Sequence, residues 1–138
     1  MNNKKILRSI LAIVVGIIAG MCANMGLITL SPSIIAPPEN VDITTAEGLQ
    51  SGIHLFKPKH FIMPFLAHAV GTFIGTLLAL KIAQSNHKRL ALFFGVFNLL
   101  GGISAVAIIP APLWFNITDL SLAYIPMALA AWYVDGKK

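Results

Sequence analysis

Charge is what this sequence has least of. Five Asp and Glu and ten Lys and Arg occur in 138 residues, so charged residues make up 11%, where a soluble domain carries about 25%. A surface so poor in charge does not keep a chain of this size in water. With 57% hydrophobic residues and a mean hydropathy of +0.80, the composition belongs to the membrane class. Cysteine is almost absent too. The one present, Cys22, excludes an intramolecular disulfide and carries no redox signature. No GxSxG, Walker loop, GxGxxG, CxxC or HExxH occurs, so no motif points to a hydrolase, a nucleotide enzyme or a metalloprotease. On that basis an enzyme is not expected, and no cofactor or metal is assigned.

The apolar runs are what is there. From His60 to Leu80 the chain reads HFIMPFLAHAVGTFIGTLLAL, twenty-one residues without Asp, Glu, Lys or Arg, between Lys59 and Lys81. At about 1.5 Å per helical residue that stretch covers roughly the 30 Å of bilayer hydrocarbon. Three more runs accompany it, giving expected spans at about 6–30, 61–83, 90–109 and 113–134. The first opens on a basic MNNKKILRS but has a longer apolar core than the roughly 15 residues of a secretory signal, and Met21 stands before Cys22 where lipoprotein cleavage wants a small side chain. It is therefore read as a retained span. The fourth is interrupted by Asn116 and Asp119, and its ends carry Trp114 and the pair Trp132 and Tyr133, as an interfacial belt would. The expected fold is an all-α integral membrane protein, a four-transmembrane-helix bundle forming one domain over 1–138.

Lysine and arginine set the expected orientation. With four spans, Lys4, Lys5, Arg8, Lys81, Lys88, Arg89, Lys137 and Lys138 fall on the side of both termini, and only Lys57 and Lys59 on the other. The positive-inside rule then puts both termini in the cytoplasm of a bacterial-type inner (plasma) membrane. The net charge of +5 lies in short clusters beside apolar runs rather than in a stripe, so nucleic acid is not an expected partner. The lipid bilayer is.

The loop 31–60 is the one long connection. Pro32, Pro37 and Pro38 predict an extended strap over Ser31 to Asp42. After it, Thr44 and Glu47 have capping-box spacing, and Ala46, Leu49, Ile53 and Phe56 share one face, which predicts a short amphipathic surface helix over about 45–56, ended by Pro58.

Small residues recur at helix-packing spacing: Gly16 and Gly20 in the first span; Ala67, Gly71, Gly75 and Ala79 in the second; Gly95, Gly101 and Gly102 in the third. Such seams join helices within a chain or between copies. The leading functional expectation is accordingly a non-enzymatic structural or accessory component, a homo-oligomer or part of a larger membrane complex.

Polar residues inside the spans give the alternative. Counted inward at about 1.5 Å per residue, Asn24 lies roughly 9 Å below Leu30, His68 roughly 10 Å below Phe61, and Tyr124 roughly 8 Å below Asp119. Groups at one depth in hydrocarbon need one another as hydrogen-bond partners. An Asn24, His68 and Tyr124 layer, with His60, Lys57 and Lys59 at its outer mouth, would form a site for a lipid-like or quinone-like amphiphile in a small transporter or binder. His54, His60 and His68 have metal-donor chemistry but no ligand spacing. The KPKH run offers an anion site or a snorkelling flank. No acidic or basic residue is expected in the central membrane zone.

Overall fold

The structure, a computed structural model, describes residues 3–136. Among them it is all helix, without strands: α1 (Asn3–Ile34), α2 (Ala46–Gly52), 3-10 turns at Ile53–Leu55 and Pro58–Phe61, α3 (Ile62–Ile82), α4 (His87–Ile108), α5 (Leu113–Leu122) and α6 (Ile125–Asp135). Four helical stretches are long and apolar enough to cross a membrane: Asn3–Ile34, Pro58–Ile82, His87–Ile108 and Leu113–Asp135. Lys137 and Lys138, which the charge count includes, lie outside the described residues.

A short turn joins α3 to α4, whereas α1 reaches α3 across the long loop. α1 packs on α3 through paired glycines. A methyl group on Gly75 would sit 2.6 Å from the Gly16 carbonyl oxygen, and one on Gly71 2.9 Å from that of Gly20, so only hydrogen at these positions permits the backbones to meet. α6 lies against α3 and α4, where Gly95 faces Ile125 and Ala128. The seams at Gly16, Gly20, Gly71, Gly75 and Gly95 are thus closed within the chain. Gly26 and Gly101 face open space.

Helix ends differ from the sequence expectations where a side chain or a proline intervenes. α1 runs one turn further, through Pro32, and closes with Ile35 N–H on the Ser31 carbonyl at 2.8 Å. The predicted strap is therefore helical at its start and extended only from about Ala36. It then turns at Asn40, whose φ of 61° is a conformation asparagine tolerates. The loop helix starts on Thr45 rather than Thr44: Thr45 Oγ1 accepts Gly48 N–H at 3.0 Å. Thr44 instead serves Asp42, donating its backbone N–H at 2.8 Å and its hydroxyl at 2.6 Å to Oδ1. The α-helix stops at Gly52, and one 3-10 turn continues to Leu55. Gln50 Nε2 donates to the Ile108 carbonyl at 2.6 Å, which ties this segment to the end of α4.

The fourth apolar stretch is two helices. Pro126 has no N–H for the Leu122 carbonyl and its ring crowds that position, so α5 ends at Leu122 and α6 restarts at Ile125. Tyr124, at φ −114° and ψ −84°, sits in the break.

At the opposite end, α4 starts at His87, earlier than expected. His87 is buried, and its Nδ1 lies 3.0 Å from Asp135 Oδ2, while Lys81 Nζ is 3.1 Å from Oδ1. Arg8 Nε donates to the Ile82 carbonyl at 2.9 Å, and Lys88 lies over the Trp132 ring at 5.4 Å. These contacts fasten the ends of α1, α3, α4 and α6 together.

Candidate functional site

The site is built where the α5–α6 break meets α3. Asp119 follows Leu113 by less than two turns, so α5 carries its carboxylate inward, where it is only 3% exposed. Tyr124 OH donates to Asp119 Oδ2 at 2.8 Å. His68, from α3, places Nδ1 2.9 Å from Oδ1 and 3.0 Å from Oδ2. The imidazole and the Tyr124 ring stack with centroids 5.7 Å apart. Gly102 of α4 makes room for this pair, since a methyl group there would meet the Tyr124 hydroxyl at 2.5 Å.

A buried carboxylate needs donors, and here it has two. That corrects the expected layer in one place: His68 and Tyr124 do come together, but through Asp119. Asn24 lines a different cleft, beside Gly20, Gly71, Phe94 and Asn98, because the glycine pairing of α1 with α3 turns its face that way. Asp119, expected in the polar outer turn of the fourth stretch, is buried as the shared acceptor of this pair. The signal was present in the sequence. Read as a helix interruption, Asp119 marks the end of an apolar helix; read as a helical residue five before Tyr124, it is a carboxylate turned inward that demands a partner.

Beside the triad lies a cavity of about 260 Å³. Leu49, Ile53 and Phe56 of the loop segment cover it, Phe61 and Phe115 form one wall, Ala105, Val106 and Ile109 of α4 another, and His68, Asp119 and Asn116 supply its polar side. Asn116 Nδ2 donates to the Ala111 carbonyl at 3.2 Å. The aromatic wall is continuous: Phe56 to Phe61 is 5.8 Å, Phe61 to Phe115 4.8 Å and Phe61 to Trp114 5.5 Å between centroids.

The remaining expected site residues stand apart from this cavity. His60 Nδ1 accepts the Lys57 backbone N–H at 2.8 Å, and its ring meets Phe56 edge-on at 5.3 Å; it caps the turn into α3 and lines a neighbouring hollow with Ile35, Pro37 and Ile43. Lys57 and Lys59 are exposed, as is His54. Among the described residues no three His, Cys, Asp or Glu side chains gather as metal ligands, so His54, His60 and His68 do not form the arrangement a metal would need. Comparisons of the chain with known protein families, with curated proteins and with solved structures find no match.

Proposed function

We propose that this chain is a four-span membrane protein that binds an amphiphile in the cavity beside His68 and Asp119. Membrane insertion is supported by the outward faces. Leu7, Ile10, Leu11, Val14, Ile18, Met21 and Met25 of α1, and Phe93, Val96, Phe97 and Leu100 of α4, are all exposed, an apolar surface far beyond what a soluble monomer carries. The asymmetry of Lys and Arg supports both termini on the cytoplasmic side, which puts the covered cavity under the outer leaflet.

One observation carries the functional reading: an open, aromatic-walled cavity with its few polar groups converged on one side, as in small-molecule sites generally. A head group would meet His68 and Asp119, and a tail would leave toward the lipid. The reading of a purely accessory component joined to partners by glycine seams has less support, because Gly16, Gly20, Gly71 and Gly75 are engaged with one another. Binding needs no reaction step.

The test is chemical identification of what the protein holds. Purified in mild detergent, it should retain a stoichiometric amphiphile detectable by native mass spectrometry. Ala105→Trp, which fills the cavity from α4, should lose that species, while His54→Ala, on the exposed loop, should keep it. Retention by Ala105→Trp would refute the site.

A further inference from the structure

The polar groups gathered on Asp119 bear on the head group, an inference that rests on the amphiphile-binding reading and narrows it. His68 Nδ1 is nearly equidistant from the two carboxylate oxygens, at 2.9 and 3.0 Å. Both distances suit an Nδ1–H donating to the carboxylate. Tyr124 donates to the same carboxylate, so Asp119 acts purely as an acceptor. With the hydrogen held at Nδ1, a neutral imidazole keeps its lone pair at Nε2. Among the described residues Nε2 has no hydrogen-bond partner, and His68 lines the cavity.

Three head-group chemistries can be weighed against that wall. A carboxylate or phosphate would be brought beside the Asp119 charge and repelled. A head with acceptors only, such as a quinone or an ester, would set lone pair against lone pair at Nε2. A hydroxyl donor satisfies it. Phe56, Phe61 and Phe115 offer ring faces and edges to a flat aromatic group. We infer that His68 is a neutral imidazole with its hydrogen at Nδ1, and that the cavity takes an amphiphile whose head is a hydroxylated aromatic ring, a long-chain phenol or hydroquinone, donating its hydroxyl hydrogen to His68 Nε2. Asp119 and Tyr124 are positioning residues: they fix the imidazole tautomer and do not touch the ligand's hydroxyl.

The test uses the full chain in lipid nanodiscs with radiolabelled 4-dodecylphenol and its methyl ether, 4-dodecylanisole, which differ in the donor alone. The phenol should bind about tenfold more tightly than the ether, the worth of one good hydrogen bond. His68→Phe should abolish the preference while keeping apolar binding. Asp119→Asn can offer an amide N–H to the ring, moving its hydrogen to Nε2, where phenol and ether oxygens both accept, and should erase the preference. Because Asp119→Asn risks misfolding, nitrogen NMR of His68 in the unmodified protein provides an independent reading: Nδ1 protonated, Nε2 bare, with the Nε2 resonance moving on addition of the phenol and not of the ether. Equal binding of phenol and ether, or a protonated Nε2, overturns the inference and leaves an amphiphile site of other chemistry. Failure of both probes to bind overturns it too, and whether a co-purified amphiphile is lost in Ala105→Trp then decides the broader reading separately.

Discussion

Removing the Tyr124 hydroxyl should cost stability in one background and not in another. Tyr124→Phe deletes a single oxygen that donates to Asp119 at 2.8 Å and leaves the ring packed on Ala69 and Ala123. Hydrogen bonds to charged groups are worth about 1.5–3 kcal/mol in water-soluble proteins, whereas bonds between spans average about 0.6 and reach about 1.7 kcal/mol. Tyr124 is 4% exposed and Asp119 3%, so water replaces little of the loss, and about 1.5 kcal/mol is expected. Asp119→Ala is the harsher change, because it strands both the His68 N–H and the Tyr124 O–H. About 3 kcal/mol follows from the penalty on two unsatisfied donors. In that second background the hydroxyl is itself the liability, and adding Tyr124→Phe should then be neutral or stabilising. The measurement is a double-mutant cycle from reversible unfolding in mixed micelles, followed by tryptophan fluorescence. An equal cost of Tyr124→Phe with and without the carboxylate would refute the triad as drawn.

Two further outcomes concern the ends of the bundle. Asp135→Ala should destabilise by about 1–3 kcal/mol, since it deprives the buried His87 of its partner; Lys81→Ala should cost under about 1 kcal/mol, its ammonium being half exposed and screened. The ordering of the two in the same unfolding assay is the check. On the loop, the Thr44 hydroxyl and N–H and the Thr45 hydroxyl hold the Asp42 carboxyl below its usual range. A lowered native value means that this contribution is full above the ordinary aspartate pKa of about 3.9 and fades as pH falls through the native one. The carboxyl carbon resonance of Asp42 should therefore titrate below the ordinary aspartate value of about 3.9, and Asp42→Asn should loosen the start of α2.

Period and composition carry most of the architecture because apolar run length is all that a membrane-spanning helix demands of its sequence. Four apolar helices were legible for that reason, and so was the nearness of His68 and Tyr124, whose rings stack at 5.7 Å, though not the Asp119 that joins them. What was not legible depended on which way a helix is turned. Asn24 shares the depth of His68, yet the Gly20 and Gly71 contact rotates it into another cleft. His87 reads as part of a basic turn, QSNHKR, and becomes buried only because α6 brings Asp135 across from forty-eight residues away. The proline in α1 reads as a stop, but a helix with a turn left to run tolerates the loss of one N–H when its last carbonyls find donors at Ile35. For Asn24 and His87 a tertiary contact decided between two local states that differ by little; in α1 the last turn's own hydrogen bond did.

The glycines can decide whether copies of this chain associate. If the seams are internal, Gly75→Leu must force α1 from α3, because even a methyl group there would meet the Gly16 carbonyl oxygen at 2.6 Å, and overpacking of this kind costs about 1–3 kcal/mol. Gly26 and Gly101 are the contrast. Nothing lies within 4 Å of a methyl group at either position, so leucine there should leave the unfolding midpoint within about 0.5 kcal/mol of the parent, as surface substitutions do. The same two positions are where close approach by a second copy is still open, since small residues permit backbone contact between helices. Förster transfer between labelled chains, diluted in lipid, measures that approach directly. Unchanged transfer in Gly26→Leu and Gly101→Leu would mean that this sequence uses glycine to fold rather than to assemble. A fall in transfer with stability intact would return the outward glycines to the role of an interface and revive association as a function beside the cavity.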